Sequence, residues 1–392
     1  MIPCGQQAIP ITGNGRLSVL HVGKFYPPHV GGMETHLRAL CGELQQSVNV
    51  SVIVANDSRR TEEALVEGVK VTRVATLFDL ASAPICPGMV RKIRQAEADL
   101  VHLHLPNPTA ILAYLASGHR GRLVVTYHSD IVRQKVLGRA FQPIFRRALD
   151  RCSAVITSSL NYIETSPILS AYRERCRVIP YGIPIEQFHR FDTEAVAKIR
   201  AQYGPRMVLS VGRLIYYKGF DYLIQAMARV KGRLLIVGDG PLRARLEQEA
   251  QAHGVGQRVV FLGEIQDVVP FYHAADVFVL ASTARSEAFG IVQLEAMACG
   301  KPVVNTRLDS GVPSVSVDGV TGLTVPPAHP EALASAINLL LEDPWRRMEY
   351  GRAARRRVQE EFSLEVMTHR TLQLYNEVMG SPIERQVIEY ST

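Results

Sequence analysis

Two acidic side chains in the C-terminal half stand eight positions apart in a largely apolar stretch. They are Glu287 and Glu295, in SEAFGIVQLEAMACGKPVV from Ser286 to Val304. A helix that is apolar nearly all round is a buried helix, and a carboxylate is almost never buried without a partner. Glu295 therefore needs a hydrogen-bonding partner from the protein or from a ligand. Glu287 precedes the helix, where backbone N–H groups and the positive end of the helix dipole suit a phosphorylated, hydroxyl-rich ligand.

A pair of cations lies earlier in the same half, in VGRLIYYKGF from Val211. Arg213 and Lys218 fall in a strand-to-helix connection and are flanked by Gly212 and Gly219. A guanidinium grips phosphate oxygens bidentately, whereas an ammonium supplies a point charge. The loop is thus suited to two negative charges that develop on a departing diphosphate.

The N-terminal half offers two further groups. Gly31 and Gly32 precede a helix, where paired glycines leave backbone N–H groups accessible to an anion. His128 follows a strand, and an imidazole exchanges protons near neutral pH. His102 and His104 share a strand face and have the ring nitrogens that metals prefer. No further ligand cluster accompanies them in the sequence, so we expect no metal.

These patterns resemble the retaining GT-B-fold glycosyltransferases of the group 1 or family 4 type, which include bacterial envelope polysaccharide mannosyl- and glucosyltransferases. The acids match that family's E-x7-E signature, and the cation loop matches its G-R-x-x-x-x-K-G motif. The paired glycines are similar to its P-x-x-G-G-x-E loop, and His128 occupies its T-x-H position.

The resemblance implies that Glu287 contacts the hydroxyls of a donor sugar, that Glu295 holds the nucleotide ribose, and that His128 reaches the sugar near the reaction centre. The residues to which it gives catalytic roles are His128, Glu287, Arg213 and Lys218. The residues to which it gives donor-binding roles are Gly31, Gly32, Gly212, Gly238, Glu264, Ile265, Ala288, Phe289, Gly290, Ile291 and Glu295.

Short apolar runs alternate with helical stretches along the chain, which predicts α/β architecture with parallel sheets. The first-half strand candidates are Leu17–Val22, Val48–Val54, Val69–Val74, Leu100–His104, Leu123–Tyr127, Ala154–Thr157 and Cys176–Ile179. The second-half candidates are Met207–Val211, Leu234–Val237, Val259–Leu262, Val277–Leu280 and Pro302–Val304. The turn-rich segment P-Y-G-I-P, Pro180–Pro184, predicts a linker. We expect two Rossmann-like doubly wound domains, 1–184 and 185–363, which face each other across a cleft. By the resemblance, a terminal helix in 364–392 crosses back to the first domain.

The chain has 392 residues and a formal net charge of +7, which favours anionic partners. Aromatic residues make up 7%, too few to suggest stacking platforms for nucleic acid, and we expect no nucleic-acid partner. The segment 131–149, IVRQKVLGRAFQPIFRRAL, mixes basic and apolar residues. It predicts either peripheral contact with an anionic membrane or an ordinary surface helix, which Pro143 is expected to interrupt.

Scattered cysteines without a C-x-x-C pair suit reduced thiols, and the N-terminus MIPCGQQAIPITGNGR lacks the pattern of a signal peptide. We therefore expect a cytoplasmic protein that lies peripherally on the inner face of the plasma membrane. No apolar run is long enough to span a bilayer.

Together these features predict transfer of a hexose from a nucleotide-diphosphate sugar to a lipid-linked or glycan acceptor. Retention of anomeric configuration follows from the resemblance, and GDP-mannose is favoured over a UDP-hexose because YHSDIVRQK resembles bacterial envelope mannosyltransferases. The chain has no Asp-x-Asp pair to bridge a divalent ion, so no metal or other cofactor is expected. The alternative is a nucleotide-sugar epimerase of the same two-domain form.

Overall fold

The computed structural model describes residues 15–29, 31–80, 83–130 and 135–380, with the backbone alone for 135–140. Its contacts divide the chain into two compact units. The first comprises the chain up to Thr157, Ala171–Ile179 and the chain from Leu364 onward. The second comprises Ser158–Ser170 and Pro180–Ser363.

The secondary-structure elements alternate along the chain as an α/β protein requires. The strands are β1 (Ser18–Val22), β2 (Asn49–Ala55), β3 (Glu62–Val66), β4 (Val69–Val74), β5 (Phe78–Leu80), β6 (Ala83–Ile85), β7 (Leu100–Leu105), β8 (Arg122–Tyr127), β9 (Ala154–Thr157), β10 (Cys176–Val178), β11 (Met207–Val211), β12 (Arg233–Val237), β13 (Val259–Gly263), β14 (Val277–Val279), β15 (Val303–Thr306) and β16 (Gly322–Val325). The helices are α1 (Gly32–Leu44), α2 (Gly88–Gln95), α3 (Pro108–Ser117), α4 (Lys135–Arg151), α5 (Leu160–Thr165), α6 (Glu186–His189), α7 (Thr193–Tyr203), α8 (Phe220–Ala226), α9 (Arg243–Ala252), α10 (Val269–Ala274), α11 (Ile291–Ala298), α12 (Val312–Val315), α13 (Pro330–Glu342), α14 (Pro344–Glu361) and α15 (Leu364–Met379).

The first unit is built on an eight-stranded sheet in the order β10-β9-β8-β7-β1-β2-β4-β3. Its pairings are parallel except that β3 runs antiparallel to β4. All seven strands predicted from the first half are present. Strand β3 was not predicted because its sequence, EEALV, is polar at its start and lies at an exposed edge. Strand β7 is buried along its whole length, as a central strand covered on both faces must be.

The second unit contains a six-stranded parallel sheet in the order β13-β12-β11-β14-β15-β16. Its two faces pack into two separate apolar cores, one of which includes α11 and the other α8 and α13. The five strands predicted for this half are confirmed, and β16 is an addition at the edge. The prediction of two Rossmann-like α/β domains is therefore confirmed.

The two units divide at different residues from the predicted boundary at 184. Tyr181 and Ile183 lie buried in a core of the second unit, and the Ile183 N–H donates to the Phe362 carbonyl at 3.0 Å. Helix α5 also belongs to the second unit, where the Asn161 amide donates to the Ser310 carbonyl at 2.6 Å. The turn-rich P-Y-G-I-P segment thus contributes apolar side chains to a core and is not a solvated linker. Helix α15 belongs to the first unit.

Helix α4 continues through Pro143, which corrects the expectation that this proline interrupts it. Phe145 turns inward and packs edge-on against Tyr127, with 5.9 Å between ring centroids, whereas Arg146 and Arg147 are exposed. Residues 131–134 of the predicted membrane-contacting segment lie outside the described residues. Among the described helices, none has both the length and the apolarity needed to cross a bilayer.

Candidate functional site

Lys218 and Glu287, two of the predicted catalytic residues, form a buried ion pair in the second unit. Lys218 Nζ lies 2.6 Å from Glu287 Oε2, and the two side chains are 12% and 11% exposed. The Ser282 hydroxyl donates to the same carboxylate oxygen at 3.0 Å. Burial by itself would lower the pKa of Lys218, but the charge and hydrogen bond of Glu287 outweigh it and raise the pKa. The lysine is therefore held as a cation inside the protein.

The second predicted acid lies beside this pair. The Tyr272 hydroxyl donates to Oε2 of Glu295 at 2.6 Å, which confirms that Glu295 needs a hydrogen-bonding partner. Burial raises the pKa of Glu295, while the hydrogen bond from Tyr272 and the charge of Lys218 oppose that rise. Glu295 in turn helps to raise the pKa of Lys218. The two acids and the lysine therefore form one electrostatically coupled group.

Two glycines allow the loops around Lys218 to pack closely. Gly238 has a φ of +125°, and a Cβ there would overlap the carbonyl oxygen of Gly212. A Cβ on Gly212 would lie 3.4 Å from Lys218 Nζ. The loop after β12 thus packs against the loop after β11 and the lysine, with no room for a side chain on Gly238.

Arg213 shares the loop of Lys218 but differs from it in environment. It is exposed, whereas Lys218 is largely buried. The charges of Glu287, Lys218 and Arg213 all act on the phenol of Tyr217, whose pKa is raised mainly by burial. Of the two predicted cations, Lys218 therefore lies inside the protein, whereas Arg213 lies at the surface.

The remaining predicted residues of the second unit follow neighbouring strands. Gly238 follows β12 directly, and Glu264 and Ile265 follow β13. Ala288, Phe289 and Gly290 lie between β14 and α11, and Ile291 begins that helix. Strands β13, β12, β11 and β14 are adjacent and parallel, so their following loops emerge at one edge of the sheet, where ligands bind in open α/β sheets.

These residues contribute in different ways. Phe289 is buried and its ring packs 5.0 Å from that of Tyr181, so its side chain belongs to the core. The Ala288 carbonyl accepts from the Gly311 N–H at 2.7 Å. Glu264 is exposed, while Ile265 is half-buried against the core. For Phe289 only backbone atoms are therefore available to a ligand.

In the first unit, Gly31 and Gly32 lie at the start of α1, as the sequence predicts. Glu34, in the first turn of that helix, is buried, and a Cβ on Gly31 would overlap its carboxylate. Glu34 is the acid of the P-x-x-G-G-x-E pattern but was not among the predicted site residues, although an acid in the first turn of a helix after paired glycines is a recognisable signal.

His128, the predicted site residue at the end of β8, is part of a larger group of buried histidines. His128 Nε2 lies 3.0 Å from His104 Nδ1, and His104 Nε2 lies 3.0 Å from His21 Nδ1. His36, on α1, packs its ring edge-on against His128, with 5.2 Å between centroids. The expectation that no ligand cluster accompanies His102 and His104 is therefore wrong.

Two triads in this group each have ring nitrogens within 4.8 Å of one another. They are His21, His102 and His104, and His36, His104 and His128. Burial lowers the pKa of His21 to about 3 and that of His36 to about 4. The cluster was missed because its members are distant in sequence. The parallel register that pairs His21 with His102 would have revealed it.

The chain matches two family models that together cover most of its length. The model described as Glycosyltransferase Family 4 matches residues 30–187, and the model described as Glycosyl transferases group 1 matches residues 192–357. The second match contains both acids and the lysine of the coupled group in the second unit.

Three relatives align over nearly their full lengths. The D-rhamnosyltransferase WbpZ of Pseudomonas aeruginosa is 35% identical, with 88% of this chain and 92% of the relative covered. The O-antigen chain mannosyltransferase C of Escherichia coli is 32% identical, with coverages of 93% and 100%. A GDP-mannose-dependent alpha-(1-6)-phosphatidylinositol monomannoside mannosyltransferase of Mycolicibacterium smegmatis is also 32% identical, with coverages of 86% and 92%.

The fold also matches solved structures. A sucrose-phosphate synthase from Thermosynechococcus elongatus superimposes with a TM-score of 0.76 at 24% identity, covering 93% of this chain and 100% of that one. At this identity the likeness supports the architecture alone, which is the GT-B arrangement of two Rossmann-like domains. The two family matches and the relatives aligned over nearly their full lengths show the family: this chain belongs to the group 1, family 4 glycosyltransferases.

Proposed function

We propose that the protein transfers a hexose from a nucleotide-diphosphate sugar to a lipid-linked or glycan acceptor, with retention of anomeric configuration and without a metal. The observation that carries this proposal is the buried contact between Lys218 and Glu287 beside Glu295, at the edge of the sheet where four parallel strands end. A buried cation beside two carboxylates offers complementary groups to a molecule that has both phosphates and hydroxyls.

Donor binding exchanges the partners of the ion pair. The diphosphate oxygens take over Lys218, while the sugar hydroxyls donate to the carboxylate of Glu287 and the ribose hydroxyls to Glu295. Because Lys218 is charged and already positioned, it stabilises the charge that develops on the leaving diphosphate without further reorganisation. Exposed Arg213 adds a second cation at the rim of the loop. The role of His128 toward the sugar rests on the family resemblance.

The relatives support a donor sugar of the manno series. One is named for mannose transfer, one for GDP-mannose dependence and one for D-rhamnose, which is 6-deoxy-D-mannose. GDP-mannose is therefore our first choice of donor. The epimerase alternative finds no support among these relatives.

Metal independence and retention belong to the proposal as well. The sequence has no Asp-x-Asp pair, and Lys218 with Arg213 supplies the positive charge that a divalent ion would otherwise provide. No side chain is assigned as a nucleophile. In a front-side displacement, the leaving diphosphate itself accepts the proton of the attacking hydroxyl, and the new bond forms on the face from which the old one departs.

The acceptor is inferred from the relatives and from surface charge. Two relatives are named for acting on an O-antigen chain and on a phosphatidylinositol mannoside. In α4, Arg146 and Arg147 are exposed while Phe145 faces inward, so the described part of this helix offers charge to an anionic surface. We place the protein peripherally at the cytoplasmic face of the plasma membrane, held by electrostatics.

A thermal-shift panel of nucleotide sugars tests the donor assignment. A ligand that binds only the folded state raises the melting temperature according to its occupancy. We expect GDP-mannose to stabilise the protein more than UDP-glucose, equally with and without excess chelator. A shift of the melting temperature that needs magnesium or manganese would contradict metal independence.

Incubation of the donor without acceptor separates a transferase from an epimerase. It should give slow hydrolysis alone, and a new sugar nucleotide would indicate an epimerase.

A further inference from the structure

A continuous file of buried hydrogen-bonding side chains runs through the first unit; we name it the histidine file. It comprises Thr126, His102, Tyr375, His21, His104 and His128, in that order. His102 lies 2.6 Å from the Thr126 hydroxyl through Nε2 and 2.6 Å from the Tyr375 hydroxyl through Nδ1. The Tyr375 hydroxyl lies 3.4 Å from His21 Nε2, the longest link. The two 3.0 Å imidazole contacts then continue through His104 to His128.

The members of the file are neutral at physiological pH. All six residues are at most 4% exposed. Burial, reinforced by neighbouring histidines, lowers the pKa of His102, His104 and His128 well below the ordinary value. Burial likewise raises the pKa of Tyr375 far above its ordinary value. Each imidazole therefore carries one ring proton, and each hydroxyl carries one.

These protons can complete all the hydrogen bonds of the file in only two ways. Each hydrogen bond needs one proton, and each member can direct its proton toward one neighbour or the other. If the Thr126 hydroxyl donates to His102, each following member must donate onward, and the proton of His128 resides on Nδ1. If His128 donates from Nε2 to His104, every link is reversed and Nδ1 of His128 carries a lone pair. Any other arrangement leaves one link with two protons or with none.

We propose that the histidine file sets the tautomer of His128, and that Tyr375 and Thr126 are positioning residues that act through it. When all links reverse together, Nδ1 of His128 changes between hydrogen-bond donor and acceptor without any change of net charge in the core. The group that faces Nδ1 of His128 thus meets either an N–H donor or a lone pair. The use of this property in sugar transfer rests on the proposed function; the coupling of the tautomers does not.

A metal ion at the same histidines would be incompatible with the file. A nitrogen that binds a metal must offer it a lone pair, whereas both nitrogens of His102 and of His104 already take part in links. A divalent ion between His21, His102 and His104 would therefore break the file. The metal content of the protein thus distinguishes a metal site from the hydrogen-bonded file.

The experiment is nitrogen-detected NMR of the full-length protein labelled with 15N-histidine, because the shifts of the two ring nitrogens report the tautomer. Tyr375→Phe removes the link between His102 and His21. We expect the ring resonances of His21, His104 and His128 to change together, although two histidines stand between Tyr375 and His128 in the file. The matched control is Tyr26→Phe, which removes a buried hydroxyl of the same unit outside the file and should leave His128 unchanged.

A second variant predicts a direction. Thr126→Val leaves an apolar group against His102 Nε2, and burying a lone pair there costs less than burying an unpaired N–H. The file should then run from His102 toward His128 and place the His128 proton on Nδ1. Unchanged His128 resonances in both Tyr375→Phe and Thr126→Val would overturn the proposal, as would stoichiometric metal in the purified protein. Neither outcome depends on donor binding, which the thermal-shift panel measures separately.

Discussion

At the scale of single residues, the central feature is a pair of opposite charges that are buried together. Taking one charge out of water is costly, and a buried ion pair is tolerated because each partner and its hydrogen bonds offset the cost for the other. In this protein Lys218 and Glu287 share that relation, and Ser282 adds a hydrogen bond to the carboxylate. Substituting one partner should therefore be worse for stability than substituting both.

Glu287→Gln tests whether the buried charge of Lys218 depends on its partner. Without the carboxylate, burial dominates and the pKa of Lys218 falls below its unfolded value near 10.4. We expect kcat/KM to fall about 100-fold or more, as for loss of a preorganised charged group. In the wild type, the raised pKa of Lys218 gives stability that is present below the unfolded pKa and is lost as pH rises through the folded pKa. In the variant the sign reverses, so denaturant unfolding should show stability that increases from neutral toward alkaline pH.

The double variant Lys218→Met, Glu287→Gln is the matched control, because it removes both charges. It should be more stable than Glu287→Gln alone while remaining inactive. A single variant that is as stable as the double variant at neutral pH, with no reversal of the pH trend, would show that the pair is not buried as described.

Tyr272→Phe probes the neighbouring acid. Burial already raises the pKa of Glu295, and the Tyr272 hydroxyl limits that rise. Removing the hydroxyl should raise the pKa further. If ionised Glu295 holds the donor ribose, the pH below which donor binding weakens should rise, measured as Kd against pH. Tyr203→Phe, at a half-buried tyrosine packed on the same core, should leave that pH unchanged. The same pH in both variants would count against this role for Glu295.

At the scale of elements, close packing of strand-end loops positions these residues. Lys218 lies where the loops after β11 and β12 meet, and the backbone of Gly238 touches that of Gly212. This arrangement needs a glycine for two reasons: the left-handed φ and the absence of space for a Cβ.

Gly238→Ala separates these reasons when it is compared with Gly254→Ala. Both positions have positive φ, but a Cβ on Gly254 meets nothing within 4 Å. Gly254→Ala should therefore cost only the backbone term, about 1–2 kcal/mol of unfolding free energy. Gly238→Ala should cost about 3 kcal/mol or more and should also weaken donor binding, because the loop that holds Lys218 must move. Equal costs in denaturant unfolding would show that the contact between the loops is relaxed.

The sequence predicted those elements whose signal is local. Apolar runs identified the central strands, and Glu287, Lys218 and Glu295 were recognisable as charges in apolar or glycine-flanked surroundings. Tyr272, the partner of Glu295, is 23 positions away and had no local signal. The histidine file depends on the register of β1, β7 and β8 and on a helix at the other end of the chain, so no short pattern could predict it.

Two element-level errors share a physical cause. The sequence favoured an interruption of α4 at Pro143 and a linker at 180–184, because proline and glycine commonly end elements. Tertiary packing overrides both tendencies. Phe145 and Leu149 are buried on the inner side of α4, and Tyr181 and Ile183 are buried in the second unit.

At the scale of the whole molecule, the excess of positive charge is relevant to the acceptor. A net charge of +7 attracts anionic surfaces, and the attraction between exposed charges weakens as salt shortens the screening length. Reversing charges on the segment proposed to contact the membrane should then weaken vesicle binding more than reversing the same number of charges elsewhere.

Vesicle co-sedimentation tests this expectation. We expect binding to vesicles that contain anionic phospholipid, little binding to zwitterionic vesicles, and release as salt rises. The double variant Arg146→Glu, Arg147→Glu should bind at least about 10-fold more weakly, since each basic residue near such a surface contributes about 1 kcal/mol. Lys198→Glu, Lys231→Glu makes the same change of net charge at exposed lysines and should bind like the wild type. Equal weakening by both pairs would exclude a specific role for α4.

Calorimetric titration of GDP-mannose into the wild type, Lys218→Met and Lys231→Met tests most directly whether the second unit holds a nucleotide sugar through its buried cation. A charge-assisted hydrogen bond contributes about 1.5–3 kcal/mol, so Lys218→Met should bind at least about 10-fold more weakly. Lys231→Met, which removes an exposed lysine, should match the wild type. Wild-type affinity in folded Lys218→Met, or no binding of any nucleotide sugar to the wild type, would contradict the assignment.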